Sequence, residues 1–292
     1  MVALGVFDGV HRGHRIILKS AVKKARSIRG TSVVLTFSPH PQKEESLYSL
    51  EHRLRLIGEL GIDVSIVINF NQKFAGISAE NFIKNILVRK VGADYIYIGK
   101  NFHFGKNAEG DFRLLSRLSQ ICNFKLKIYD VIKINKQPVS STYIRALIKK
   151  AKLDTAQELL GRAVSILGTV IKGASLARKL GFPTANINPH HEVVPPPGVY
   201  AVKIIFNHQK LNGVCNIGTK PTFKTQYAIR NTQDKKHIEA YIFNFKQNIY
   251  GRDLEIQFIK KIRDEKKFDS LQHLANQIRK DVLATKKFLS SP

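Results

Sequence analysis

From Met1 to Val131 segments of strand-like and helix-like periodicity alternate, and after Ser165 the alternation gives way to short strands; this change of rhythm leaves few architectures open. The apolar opening Val2 to Val6 leads into a helical stripe at Ile16, Ile17, Ala21, Val22 and Ala25. Then follow β-rich Ser32 to Phe37, helical Glu51 to Leu60, strand-like Val64 to Phe70, helical Ala79 to Val88, strand-like Tyr95 to Gly99, helical Asp111 to Ile121 and strand-like Lys125 to Val131. Such repetition predicts an α/β domain on a doubly wound parallel sheet, with ligands at the carboxyl ends of its strands. The later strands, Ile166 to Ile171, Val199 to Phe206, Gly213 to Ile217, Ile238 to Phe243 and Leu254 to Ile262, are separated by turns such as Pro195-Pro196-Pro197-Gly198. With Ser270 to Phe288 as a long final helix, they predict a small antiparallel β-barrel with a C-terminal helix. The boundary is expected near Arg162, giving domains 1–162 and 163–292.

A chain of 292 residues can bury two cores, and 43% apolar with 9% aromatic residues marks it as globular. Apolar runs such as Val64 to Phe70 are strand-sized and too short for a bilayer, and the N-terminus lacks the pattern of a signal peptide. A cytoplasmic protein with no membrane partner is expected, acting as a monomer or weak homo-oligomer. Cys122 and Cys215 are isolated and fit small core residues better than a disulfide or a metal pair. The net charge of +26 raises the question of nucleic acid. Its spread is even, 27 basic against 13 acidic side chains up to residue 162 and 21 against 9 beyond. That argues against a dedicated basic arm; specific nucleic-acid binding is not expected, weak binding at low salt being the alternative.

No Walker A sequence and no GxGxxG occurs, so phosphate must be handled differently. Gly5-Val-Phe7-Asp8-Gly9-Val-His11-Arg-Gly13-His14 lies where the first strand turns into the first helix. Helix amides there already favour a polyphosphate; His11 and His14 add donors, and Gly13 permits close approach. Two helix-terminal histidines with only local hydrogen bonds are the bland alternative. Ser140, Ser141, Thr142 and Arg145 combine a helix cap with hydroxyls and a guanidinium suited to phosphate oxygens. His40, between Pro39 and Pro41 after the second strand, faces a ligand or is a plain turn histidine. In the second half Gly181-Phe-Pro-Thr184-Ala-Asn186 either forms a turn or presents Thr184 and Asn186 from one side of an extended segment, two neutral oxygens for a magnesium ion shared with ATP. Gly168 to Gly173 and Arg178 would supply a glycine-containing turn and a cation for the same phosphates. Glu239, flanked on its own face by His237 and Tyr241, is a candidate general base or an edge-strand charge.

Together these residues resemble the bacterial bifunctional riboflavin kinase and FAD synthetase family over nearly all of the chain. Gly5 to His14 resembles that family's GxFDGVHxGH, Thr36 to Pro41 its TFxPHP, Val139 to Arg145 its ISSTxIR and Gly168 to Asn186 its GxVxxG…RxLGFPTAN. Pro197 to Tyr200, Gly213 to Phe223, Ile249 to Gly251 and Arg263 to Phe268 follow in order. The resemblance implies that the second domain phosphorylates riboflavin to FMN and that the first transfers AMP from ATP to FMN, giving FAD and pyrophosphate. Phe7, Asp8, Gly9, His11, Gly13, His14, Ser140, Ser141, Thr142 and Arg145 would then serve ATP in the first domain. Gly168, Gly173, Arg178, Thr184 and Asn186 would serve ATP in the second, where Thr184 and Asn186 hold magnesium. Phe37, His40, Pro41, Asn101, Phe104 and Arg263 would meet the flavin, and Glu239 would be the base. The family's GxDFxFGxxRxG reads here with Asn101 for Asp and Ala108 for Arg, which leaves a kinase with a weakened adenylyltransferase as the alternative; a basic nucleic-acid-binding protein on the same folds is a remoter one. The chain also lacks the family's usual lead-in before the first strand, which a misassigned start or a fragment would explain.

Overall fold

The computed structural model describes residues 1–41, 45–173, 177, 180–219 and 236–290. The chain forms two compact units, Met1–Ile144 and Arg145–Pro292. The division falls before the boundary expected near Arg162, because helix α7 (Leu153–Leu160) packs on strands β8 (Val164–Ile171) and β13 (Asp253–Arg263) of the second unit.

In the first unit β1 (Val2–Leu4), β2 (Val33–Ser38), β3 (Val64–Asn69), β4 (Tyr95–Gly99) and β5 (Lys125–Tyr129) form one sheet in the order β3-β2-β1-β4-β5, with every described pairing parallel. The central strand is wholly buried, as a strand covered on both faces must be, whereas the edge strand β3 is largely exposed. Strand order reverses between β1 and β4, the place where a doubly wound sheet opens a crevice at its carboxyl edge. Helix α1 (Arg12–Ser27) buries Ile17, Leu18, Ala21, Val22 and Ala25, the expected stripe apart from Ile16, which is exposed. Helix α2 (Leu50–Gly58) follows β2; the short α3 (Gln72–Ala75) and α4 (Ala79–Asn81), the latter running on as a π-helix over Phe82–Lys90, follow β3; and α5 (Phe112–Ile121) follows β4. A small hairpin of β6 (Lys133–Ile134) and β7 (Gln137–Pro138), absent from the sequence reading, precedes α6 (Ser141–Lys149).

The second unit is a closed antiparallel barrel in the order β10-β11-β12-β9-β8-β13. Its remaining strands are β9 (Thr184–Asn188), β10 (Gly198–Phe206), β11 (Gln209–Gly218) and β12 (His237–Ile242), and α8 (Leu271–Ser290) packs on β10, β11 and β13. Alternate residues such as Tyr200, Val202, Cys215, Ala240, Ile256 and Phe258 are buried at one set of register positions and fill the interior. One local expectation is corrected, and one open alternative is decided. Gly168 does not open a turn: the β-branched run Val164–Ile171 is continuous strand, and Gly168 sits where a Cβ would strike the backbone of Asn188. Of the two readings of the Gly181 to Asn186 segment the extended one holds: Thr184–Asn188 is strand β9, completing the barrel between β8 and β12.

Candidate active sites

The first site is built on the turn between β1 and α1. His11 is the N-cap of α1, and its Nδ1 accepts the backbone N–H of His14 at 3.3 Å, which assigns the neutral ring's proton to Nε2. The two imidazoles stack at 3.5 Å between centroids, and Phe7 meets His14 edge-on at 5.3 Å. This close stack needs an unusual backbone: Phe7 and Val10 lie at φ 54° and 40°, and Gly9 at φ 79°, where a Cβ would collide with Leu47. The buried Asp8 carboxylate accepts the backbone N–H groups of Leu47 and Tyr48 at 3.0 and 3.2 Å. Asp8 therefore shapes the turn. From the far end of the unit Ser141 donates to the Asp8 carbonyl at 2.9 Å, bringing the Ser-Ser-Thr segment to the histidine turn. Ser140 accepts the Tyr143 N–H as the cap of α6, while Thr142 is exposed. Arg145, buried one turn along the same helix, belongs to the second unit by the division above.

Arg53 is the residue here that the sequence reading missed. Its guanidinium donates to the carbonyls of Val6 at 2.7 Å and Phe37 at 3.0 Å, joining the chain just past β1 to the carboxyl end of β2. Burial lowers its pKa from the usual guanidinium value, with nearby Asp8 opposing the shift. Only three-dimensional context identifies it, since an arginine inside a helical stripe reads as a solvated face. His40 and Pro41 follow β2, half-buried. Phe37 and Phe104 are buried in an aromatic chain that includes Phe70, Phe74, Phe82 and Phe102, and the last four link them at centroid distances of 5.4 to 6.1 Å. Of that chain Phe70, Phe74 and Phe102 are only half-buried. Asn101 and Ala108 stand exposed on the loop after β4.

The second site lies on the outward face of the barrel wall. Strand register places Glu239 of β12 directly opposite Asn186 of β9 on one side and Asn216 of β11 on the other, and Tyr241 opposite Thr184. Thr184, Asn186, Asn216 and Glu239 thus share one face, because side chains two apart, or directly paired across strands, project together. Burial pushes the Glu239 carboxyl above its ordinary value, and His237 draws it partly back. Gly173 lies against Asn186 so closely that a Cβ would overlap the amide. Two neutral oxygens beside a carboxylate, on a wall kept clear by a glycine, suit a hard cation with bound phosphate. Arg178 lies outside the described residues, as do Lys220 to Phe223 of the quoted glycine-threonine segment.

Arg263, expected at the flavin, is held by the terminal helix. Its Nε and terminal nitrogen grip both oxygens of Asp281 on α8 at 2.7 to 3.1 Å, and it also donates to the Asp264 carbonyl at 2.8 Å. Asp281 is 4% exposed, so the pair ties the end of β13 to the terminal helix. Cys122 and Cys215 are free thiols, the first half-buried and the second buried, and no helix among the described residues is long and apolar enough to cross a membrane.

A histidine-bearing helix start on a parallel sheet and a carboxylate-amide row on a barrel are two candidate phosphate sites, one in each unit. Comparison with known proteins gives the same division. The family described as FAD synthetase matches residues 1–143, and riboflavin kinase matches residues 160–289. Proteins named bifunctional riboflavin kinase/FMN adenylyltransferase align along nearly the whole chain. The one from Buchnera aphidicola of Schizaphis graminum is 38% identical, covering 99% of this chain and 94% of its own. That of Escherichia coli K12 is 34% identical over 99% and 92%, and that of Bacillus subtilis 168 is 36% identical over 96% and 90%. A crystal structure described as a macrolide-efflux protein from Streptococcus pneumoniae superposes with a TM-score of 0.82 at 27% identity, covering 98% of this chain and 93% of that one. The chain belongs to the bifunctional riboflavin kinase/FMN adenylyltransferase family.

Proposed function

We propose that the chain makes both flavin cofactors, phosphorylating riboflavin to FMN on the barrel and adenylylating FMN to FAD on the parallel sheet. The observation that carries the kinase reading is the register that sets Glu239 against Asn186, with Thr184 on the same face. Glu239 takes the proton from the terminal ribityl hydroxyl, that oxygen attacks the γ-phosphorus of ATP, and ADP leaves. A raised carboxyl value suits this role, since a base works best when its value approaches the working pH. The Thr184 hydroxyl and the Asn186 carbonyl would hold a magnesium ion, which would neutralise phosphate charge. In the adenylyl transfer an FMN phosphate oxygen attacks the α-phosphorus of ATP and pyrophosphate leaves. There His11 and His14 act mainly by position: donors at a helix start, fixed before the reaction, meet the charge that develops on the phosphate oxygens.

Substrates so charged suit a strongly basic surface, and use of ATP fits a cytoplasmic protein, which we take to be a monomer or weak homo-oligomer. Chromatography of the flavins formed from riboflavin and MgATP tests the whole reading. FMN followed by FAD is expected; FMN alone after long incubation would remove the second activity.

A further inference from the structure

We infer that the first unit carries a further anion site, away from its histidine turn, where Lys24, Lys125 and Lys127 with Tyr95 and Tyr97 take a polyphosphate group, free as pyrophosphate or borne on a nucleotide. These residues line a hollow of about 320 Å³, contributed by helix α1, strand β4 and the edge strand β5. Tyr95 pairs with Lys125 and Tyr97 with Lys127, so the four side chains stand on one face of the sheet. Lys24 reaches that face from α1, its ammonium 4.8 Å from the centre of the Tyr95 ring. Lys125 lies over the same ring at 5.4 Å, and Lys127 over the neighbouring Tyr129 ring at 5.4 Å. Tyr95 and Lys125 begin their strands, whereas the histidine turn follows the carboxyl end of β1; in a parallel sheet the hollow therefore opens at the opposite end.

Positive charge is gathered here without counter-charge. None of the three lysines has a carboxylate partner among the described residues, whereas Lys84, Lys100 and Arg113 of the same unit are paired with Glu80, Asp130 and Asp111 at 2.9 to 3.3 Å. Asp94, the acid just before Tyr95, acts on the Met1 amino group instead. Lysines on an edge strand deter pairing with other chains, and that accounts for Lys125 and Lys127. It does not account for Lys24, which leans on the same ring from a helix and adds a third ammonium to a repelling pair. Hydroxyls stand on the same face: Tyr97 is 4% exposed yet donates to no described residue, and the Tyr129 hydroxyl is buried with no partner among them. Lys125 and Lys24 hold the Tyr95 phenol below its ordinary value, the mark of a positive local field. Lysine ammoniums are point charges suited to phosphate, and a hollow at the small end of the range for ligand sites fits a compact, multiply charged oxyanion.

The test is calorimetric titration of the whole protein with pyrophosphate and, separately, with ATP, in the absence of magnesium. Lys24→Gln/Lys125→Gln should weaken binding by roughly ten- to a hundredfold, the range for a lost hydrogen bond to a charged group, while riboflavin phosphorylation and FAD formation keep the parent's rates. Lys19→Gln/Lys23→Gln removes the same charge from exposed positions of the same helix and should leave binding as it was. Weakening with pyrophosphate marks the free anion as a ligand, and weakening with ATP alone marks a nucleotide-borne phosphate. Equal weakening by both double variants would overturn the inference, leaving only a diffuse charge effect. Unchanged binding in Lys24→Gln/Lys125→Gln would overturn it too, as would a fall in either activity, or binding of a single-stranded oligonucleotide where neither anion binds. Thermal unfolding checks that the variants fold; should Lys24→Gln/Lys125→Gln fail to, Lys127→Gln, at an exposed position, decides by the same criteria.

Discussion

In the proposed reading the two units solve one problem, holding ATP phosphates, with opposite parts of their architecture. In the first, the site is made of chain that has left the sheet: a strained turn, a histidine cap and the start of a helix, gathered at one edge by parallel strands. In the second, the site is made of the sheet itself, with Thr184, Asn186, Asn216 and Glu239 on neighbouring strands of a closed wall. A parallel sheet is buried on both faces and has only its ends to offer, whereas a small barrel keeps one face outward along every strand. The first site is supported by side-chain hydrogen bonds to the backbone, such as Ser141 to Asp8 and Arg53 to Val6, and the second by the register of neighbouring strands.

The sharpest way to break this comparison is to remove one centre and follow both reactions. Glu239→Gln keeps the side-chain shape without a proton acceptor, and riboflavin phosphorylation should fall by about 10²–10⁴-fold while FMN adenylylation persists. Flavin chromatography with riboflavin or FMN as the starting material reads both; a kinase within a few-fold of the parent would make Glu239 a plain strand charge. The converse change has a somewhat smaller expected effect. His14→Ala removes one donor at the start of α1 and should slow FAD formation from FMN by about 10²–10³-fold, leaving the kinase intact. Loss of both reactions in either variant would mean that the two sites are not independent.

The same contrast explains what could be read from the sequence. Loop sites are written contiguously, so Gly5 to His14 showed both its residues and its placement, and the alternation of strands and helices showed the parallel sheet. Glu239 and the Thr184-Asn186 pair were visible as residues, but their meeting depends on β9 lying beside β12, a pairing no local pattern encodes. β9 itself is short, starts beside Pro183 and has Asn at two of its five positions, so its propensity is that of a turn until its neighbours pair with it. Arg53 escaped for the same reason: it matters through the carbonyls it reaches on other segments. Arg263 shows what a motif leaves unsaid, since the guanidinium expected at the flavin also binds Asp281 from a helix some way along the chain.

That ion pair yields a third, purely structural test within the barrel unit. Asp281→Ala would strand a partly buried guanidinium, a change that typically costs about 3–5 kcal/mol. Thermal unfolding should show the loss at every riboflavin concentration. If Asp281→Ala unfolds at the parent's temperature, the pair contributes nothing to the barrel and Arg263 is open to the flavin role.

The smallest expected effect separates chemistry from stability at Glu239. Its folded-state pKa is raised by burial above that of an exposed glutamate, so the folded protein binds its proton more tightly than the unfolded chain does. The stability this contributes is fully present below the unfolded value, near pH 4.3, and is lost as the pH rises through the folded value. Glu239→Gln cannot titrate and escapes that loss. Relative to the parent its unfolding temperature should therefore rise between pH 4 and pH 7, by about 2–4 °C if roughly 1 kcal/mol is recovered in a chain of this size. A variant that becomes almost inactive while gaining stability at neutral pH would show that the barrel keeps a destabilising charge for its chemistry. A variant whose difference from the parent is the same at both pH values would mean instead that burial does not strain Glu239, and that its ionisation is already balanced by the groups around it.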